Sequence, residues 1–118
     1  MSKSVTNGKV HMVDDSNFEE EVLGHKGLVL LDVYADWCGP CRILGPRMEE
    51  LAKAQKNGKV KIAKLDAKGG GDKRPITTTK LKVMALPTII VFKDGEEVER
   101  FRGVQETWRL EKAIADHL

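Results

Sequence analysis

The chain holds two cysteines, and both lie within the five residues Trp37-Cys38-Gly39-Pro40-Cys41. At this spacing two side chains share one face of a helical first turn, so the sulfurs are close enough to bond to each other. Such a pair can exist as a dithiol or a disulfide, and its chemistry is thiol-disulfide exchange. Exchange needs a thiolate, whereas a free thiol with a pKa of about 8.5 is only about 3% ionised at neutral pH. A helix starting at Cys38 would stabilise the anion, because unpaired backbone N–H groups and the positive end of the macrodipole point at its sulfur. Pro40 is preorganised for helix entry, and Gly39 leaves space for a substrate backbone. The cycle this predicts has Cys38 attack a substrate disulfide and Cys41 resolve the resulting mixed disulfide.

Two other uses of the pair fit less well. As a staple it would close a four-residue loop, which stabilises by only about 2 kcal/mol, less than half the effect of a loop of roughly a hundred residues. A zinc site needs four ligands, and His11, His25 and His117 stand apart without ligand-pair spacing. Neither a metal nor a bound cofactor is expected.

Asp32 is the second residue with chemical potential. Its neighbours Leu31, Val33, Tyr34 and Ala35 place a carboxylate in a strand that should be buried, where an unpaired charge costs several kcal/mol. Protonation is the cheaper answer. A raised pKa would let Asp32 exchange a proton near neutrality, with deprotonation of Cys41 as the natural role. Pairing with Lys64 or another cation is the alternative, and spacing alone leaves it open.

The elements that would position these residues follow from the apolar periodicity. Lys9 to Val13 alternates as a first strand, and Asp15 or Ser16 is placed to cap a helix carrying Phe18, Val22 and Leu23. Leu28 to Ala35, apolar on both faces apart from Asp32, reads as a central strand that delivers the cysteines to their turn. A helix from about Cys38 to Gln55 follows, with Ile43, Leu44, Met48, Leu51 and Ala52 as its stripe, a kink expected at Pro46, and a stop at Asn57-Gly58. Lys59 to Asp66 is a third strand and Gly69-Gly70-Gly71 a break. After it, Asp72 could cap a short helix with Pro75 in its first turn, although Thr77-Thr78-Thr79 is a poor helical run. Pro87 to Lys93 and Glu97 to Arg102 form antiparallel strands about an Asp94-Gly95 turn, and a closing helix from Glu106 carries Trp108, Leu110, Ala113, Ile114 and Leu118.

The order βαβαβαββα implies an α/β fold with one mixed sheet and helices on both faces. At 118 residues, 41% hydrophobic and 32% charged, residues 1–118 are expected to form one globular domain, without internal repeats. The 20 basic and 18 acidic side chains are spread along the chain, which leaves no stripe for nucleic acid. Apolar runs such as Leu28-Val29-Leu30-Leu31 are far too short to cross a bilayer. Met1 to Gly8 lacks a signal-peptide core, so a cytoplasmic location is expected, with a processed organellar form reading the same way. Leu86-Pro87-Thr88 opens a strand at a position where the missing N–H is tolerated. Trp37 is expected to line a contact surface and Trp108 to pack in the core. Gly69-Gly70-Gly71 with Asp72-Lys73-Arg74 lacks the pattern of a phosphate loop and reads as flexible.

With these residues assembled, the chain resembles the thioredoxin family over nearly its whole length. The Trp37 to Cys41 motif, Asp32 six residues before Cys38, and Pro87-Thr88 carry the resemblance. It implies the thioredoxin fold and a protein-disulfide reductase, with Cys38 as nucleophile, Cys41 as resolving thiol and Asp32 as the buried proton-transfer carboxylate. It also implies a cis bond at Pro87, which would set Leu86 backbone groups beside the sulfurs to pair with an extended substrate peptide. Lys64 matches the lysine that neighbours the buried aspartate, so pairing and function can coexist. The implied contact surface is Trp37, Gly39, Pro40, Leu86, Pro87, Gly103 and Val104. The implied partners are a thioredoxin reductase and disulfide-containing proteins, engaged by a monomer.

The chain also departs from the family pattern. Lys68 to Arg74 is longer and more basic than the usual loop, with Lys68 in place of an acidic residue. Arg102 stands where an apolar residue often flanks Gly103, and Tyr34 where tryptophan is common. These differences bear on partner choice rather than on the chemistry. A net oxidant or isomerase of the same fold, and a non-catalytic binding subunit, are the competing readings; Gly39-Pro40 favours the reductant.

Overall fold

The computed structural model describes residues 8–55, 59–68 and 75–118. Along them run β1 (His11–Val13), a π-helical turn (Glu19–Leu23), β2 (Leu28–Tyr34), α1 (Gly39–Ala54), β3 (Val60–Asp66), α2 (Ile76–Lys80), β4 (Thr88–Lys93), β5 (Glu96–Arg102) and α3 (Thr107–His117). The strands form one sheet in the order β1-β3-β2-β4-β5. β1, β3 and β2 are mutually parallel, β4 runs antiparallel to β2, and β5 antiparallel to β4. The apolar run of β2 lies at the centre, buried on both faces, whereas the charged β5 forms an edge. At the hairpin between β4 and β5, Asp94 (φ +49°) and Gly95 (φ +86°) are both left-handed, as a tight two-residue turn requires.

Helices cover both faces. Leu28, Leu30, Ile62, Ile89 and Val91 pack under Leu44, Met48 and Leu51 of α1 and Leu110, Ala113 and Ile114 of α3. On the other side Val29, Leu31, Val33, Ala63, Leu65 and Phe92 pack with Val22, Phe18 and Val83. Burying a side chain of this size is worth about 1.5–3 kcal/mol, so the two faces together supply the main driving force.

Several sequence expectations are corrected. Trp108 is 58% exposed rather than core, because it falls between the buried turns of α3, with Arg109 over its ring at 5.3 Å. Ile43 and Leu118 are exposed for the same reason: the buried stripe of α1 runs Cys41, Leu44, Met48, Leu51, and that of α3 ends at Ile114. Helix α1 continues through Pro46 to Ala54; the expected stop at Asn57-Gly58 lies outside the described residues. Neither Asp15 nor Ser16 caps the first helical turn. Asp14 folds the preceding loop by accepting the Ser16 N–H (2.8 Å), while Asp15 accepts the N–H groups of Ile76 (3.0 Å) and Thr77 (2.9 Å) and so caps α2 from across the fold. This remote cap offsets the weak helical propensity of Thr77-Thr78-Thr79. The suggested cap at Asp72 lies outside the described residues.

The topology gathers four chain segments at one end of the sheet. The C-terminal ends of β2 and β5, the start of β4 and the N-terminus of α1 meet there, because β4 is antiparallel to β2.

Candidate active site

Where β2 ends, Ala35 accepts the Cys38 N–H (3.1 Å) and the chain turns into α1. Cys38 is the helix N-cap, with φ −87° and ψ 114°, and Pro40 sits in the first turn. Its Sγ accepts the Cys41 N–H at 3.2 Å, which is the kind of contact that stabilises a thiolate in the reduced state. In this structure Cys38 and Cys41 are joined as a disulfide, with their Cα atoms 5.2 Å apart. Both cysteines are buried, and they pack with Ala35 beside Tyr34 and Leu86.

The two sulfurs belong to cysteines that border different spaces. Cys38 lines a groove of about 590 Å³ with Trp37, Gly39 and Pro40 on one side and Met84, Ala85 and Leu86 on the other. Cys41 lines a separate cleft of about 360 Å³ with Asp32, Tyr34 and Lys64. The helical first turn sets the cysteines apart in this way: Cys38, the N-cap, borders the groove, and Cys41 lies on the buried stripe of α1.

The groove is apolar. Trp37 is 66% exposed on its rim, as the sequence suggested. Leu86-Pro87 is a cis peptide, and the Thr88 hydroxyl donates to the Ala85 carbonyl (2.6 Å), tying down the turn that forms the opposite wall. Gly103 donates its N–H to the Pro87 carbonyl (2.8 Å), which anchors the end of β5 beside that wall. Gly103 and Val104 are themselves outside the lining of the groove. Sequence reading missed Met84, 86% exposed, together with Ala67 and Ala85. Nothing in periodicity marks these residues, because they reach the groove from the ends of different elements. Of the basic loop, Lys68 reaches the groove, and residues 69–74 lie outside the described residues. Arg102 is exposed on β5, opposite Thr88.

Asp32 is 2% exposed beneath α1. Among the described residues its Oδ1 has no hydrogen-bond partner. Burial pushes its carboxyl up to about 7, and the charge of Lys64 opposes that rise without cancelling it. Lys64 is not ion-paired to it: its ammonium lies over the Tyr34 ring, 5.0 Å from the centroid. The alternative of a simple Asp32–Lys64 pair is therefore replaced by an unpaired carboxyl with a cation nearby. Burial and the carboxylates of Asp66 and Asp36 push the Tyr34 hydroxyl up. Among the described residues no three His, Cys, Asp or Glu side chains converge to hold a metal ion, and no helix is long and apolar enough to cross a membrane.

With a Cys38–Cys41 disulfide set between an apolar groove and a cleft holding a buried carboxyl, fold and site define the class of thiol-disulfide oxidoreductases. Comparison with known proteins narrows it. The thioredoxin family model matches residues 9–116. A thioredoxin of Staphylococcus saprophyticus is 44% identical over 106 residues, 90% of this chain and 95% of that protein. One from Staphylococcus aureus is 42% identical over the same shares. A solved mutant thioredoxin of Halobacterium salinarum superposes with a TM-score of 0.80 at 31% identity, covering 93% of this chain and 91% of the other. The chain belongs to the thioredoxin family. It is a protein-disulfide reductase that works through a reversible dithiol/disulfide cycle of Cys38 and Cys41. Family membership implies disulfide-containing targets and a reductase in general terms.

Proposed function

We propose an order of events for this cycle and a role for each side chain. The Cys38 thiolate attacks one sulfur of a target disulfide, forming a mixed disulfide and releasing the other target sulfur as a thiolate. Asp32, as carboxylate, takes the proton of the Cys41 thiol through the cleft they share. The Cys41 thiolate then attacks Cys38 Sγ, the target leaves with both sulfurs reduced, and the two electrons it gained leave Cys38–Cys41 as a disulfide. The observation that carries this order is the separation of spaces: Cys38 borders the groove open to a target, and Cys41 borders the cleft that holds Asp32. A carboxyl titrating near 7 is suited to the proton step, since both its forms are populated at neutral pH.

Trp37, Gly39, Pro40 and Leu86 receive the target, with Pro87, Gly103 and Val104 supporting the far wall and Met84 added to it. A thioredoxin reductase returns the two electrons, and the protein acts as a monomer of one domain in a reducing, cytoplasm-like compartment. Lys64 tunes Asp32. The order is tested by trapping: Cys41→Ser accumulates a covalent mixed disulfide with target proteins, resolved by non-reducing electrophoresis, and Cys38→Ser accumulates none. Equal trapping by both variants would overturn the assignment of nucleophile.

A further inference from the structure

The cleft beside Cys41 contains a cation–ring contact that the exchange cycle does not require. Lys64 is the register partner of Asp32 across the parallel β2–β3 ladder, so both side chains emerge on the same face, one strand spacing apart. A half-buried ammonium beside a buried carboxyl ordinarily closes an ion pair. Here it does not: the Lys64 Nζ is 5.0 Å from the centre of the Tyr34 ring, and Asp32 Oδ1 is left without a partner among the described residues. Tyr34 follows Asp32 by two residues on β2 and so stands on the same face, at the mouth of the same cleft. The carboxylates of Asp36 and Asp66 add negative potential around that ring.

We propose that Tyr34 is a positioning residue, whose ring holds the Lys64 ammonium away from Asp32 so that no ion pair closes over the carboxyl that serves Cys41. The proposal rests on the assignment of Asp32 as proton acceptor. A cation over an aromatic face is favoured roughly two- to thirtyfold, enough to compete with a partly solvated ion pair. The other charges around the cleft leave Lys64 free to choose. Arg42, on α1, commits its Nε to the Asp36 carbonyl (3.1 Å). Glu49, also on α1, borders both this cleft and a neighbouring one of about 290 Å³ that Lys64 shares with Lys9 and Lys53. A released ammonium therefore has Asp32 and Glu49 as acceptors, besides Asp36 and Asp66 near the ring, and the titration of Asp32 reports whether it takes Asp32.

The test is the Asp32 titration midpoint, read by carboxyl carbon NMR on the oxidised protein, alongside the pH profile of target reduction. In Tyr34→Leu the midpoint moves to lower pH by about 0.5–1 unit, a three- to tenfold fall in the ratio of protonated to ionised Asp32 at a given pH. Tyr34→Phe, which keeps the ring, leaves it in place. In a Lys64→Met background, Tyr34→Leu produces no further acidward movement. Tyr34→Met provides the same readings if the leucine variant does not fold. An unmoved or raised midpoint in Tyr34→Leu overturns the proposal. So does an acidward shift that persists without Lys64, which would assign the ring to excluding water. If the midpoint moves as expected but the pH profile does not follow it, the proton role of Asp32 fails while the placement of Lys64 by Tyr34 stands.

Discussion

Two buried ionisable side chains stand on opposite faces of the same sheet, and they are treated in opposite ways. Lys61, on β3, is fully buried against the Glu19–Leu23 turn; its ammonium donates to the Glu21 carboxylate and the Glu21 backbone carbonyl, each at 2.9 Å. Asp32, on β2 beneath α1, has no such partner for Oδ1 among the described residues, and its carboxyl titrates near 7. The paired ion has its hydrogen-bonding positions filled by the Glu21 carboxylate and backbone carbonyl. The unpaired one is left close to balance between two states, in the cleft that Cys41 borders, where the proposed cycle moves a proton. Burial alone therefore does not single out a candidate functional charge; burial with an unfilled hydrogen-bonding position beside the cysteine pair does.

The sharpest way to break this contrast is to orphan the structural ion. Glu21→Ala leaves Lys61 buried without its carboxylate and should cost about 3–5 kcal/mol of stability by urea unfolding, whereas Glu21→Leu combined with Lys61→Met should recover most of the loss. A cost below about 1 kcal/mol would show that the pair is as dispensable as an exposed one.

Asp32→Asn should do the reverse and stabilise the protein. The folded carboxyl holds its proton up to about 7, while in the unfolded chain it ionises near its ordinary value of 3.8. Between those values the native state binds the extra proton, so wild-type stability falls as pH rises through the window and levels off above it. The asparagine variant escapes that loss. Its advantage in unfolding free energy should be near zero at pH 4 and grow to about 4 kcal/mol at pH 8. A constant difference across this range would mean that Asp32 does not titrate as described.

The same contrast explains what the sequence disclosed. The cysteine turn, the central strand and Asp32 were legible because they depend on neighbours a few residues away: a run of apolar residues interrupted by one carboxylate already states the conflict. Lys61 was not. In the alternation of β3 it reads as a solvent-facing position, and its partner stands forty residues earlier in the chain. The far wall of the groove was half legible, since Pro87 announces a strand start, but Met84 and Ala67 acquire meaning only when two strand ends are brought together. Trp108 misled because its size suggests a core residue, whereas the helical phase set by Leu110, Ala113 and Ile114 turns it outward. The cap of α2 was hidden for a related reason: Asp15 is distant in sequence from the amides it holds.

In the proposed cycle an unpaired, buried Asp32 supplies the proton acceptor for Cys41. The rate of target-disulfide reduction should be followed from pH 5 to 9 in the wild type and in Asp32→Asn. The wild-type profile should break near 7, and that break should be missing from the variant, whose turnover is slower at neutral pH with the fold retained. The same break in both proteins would contradict it.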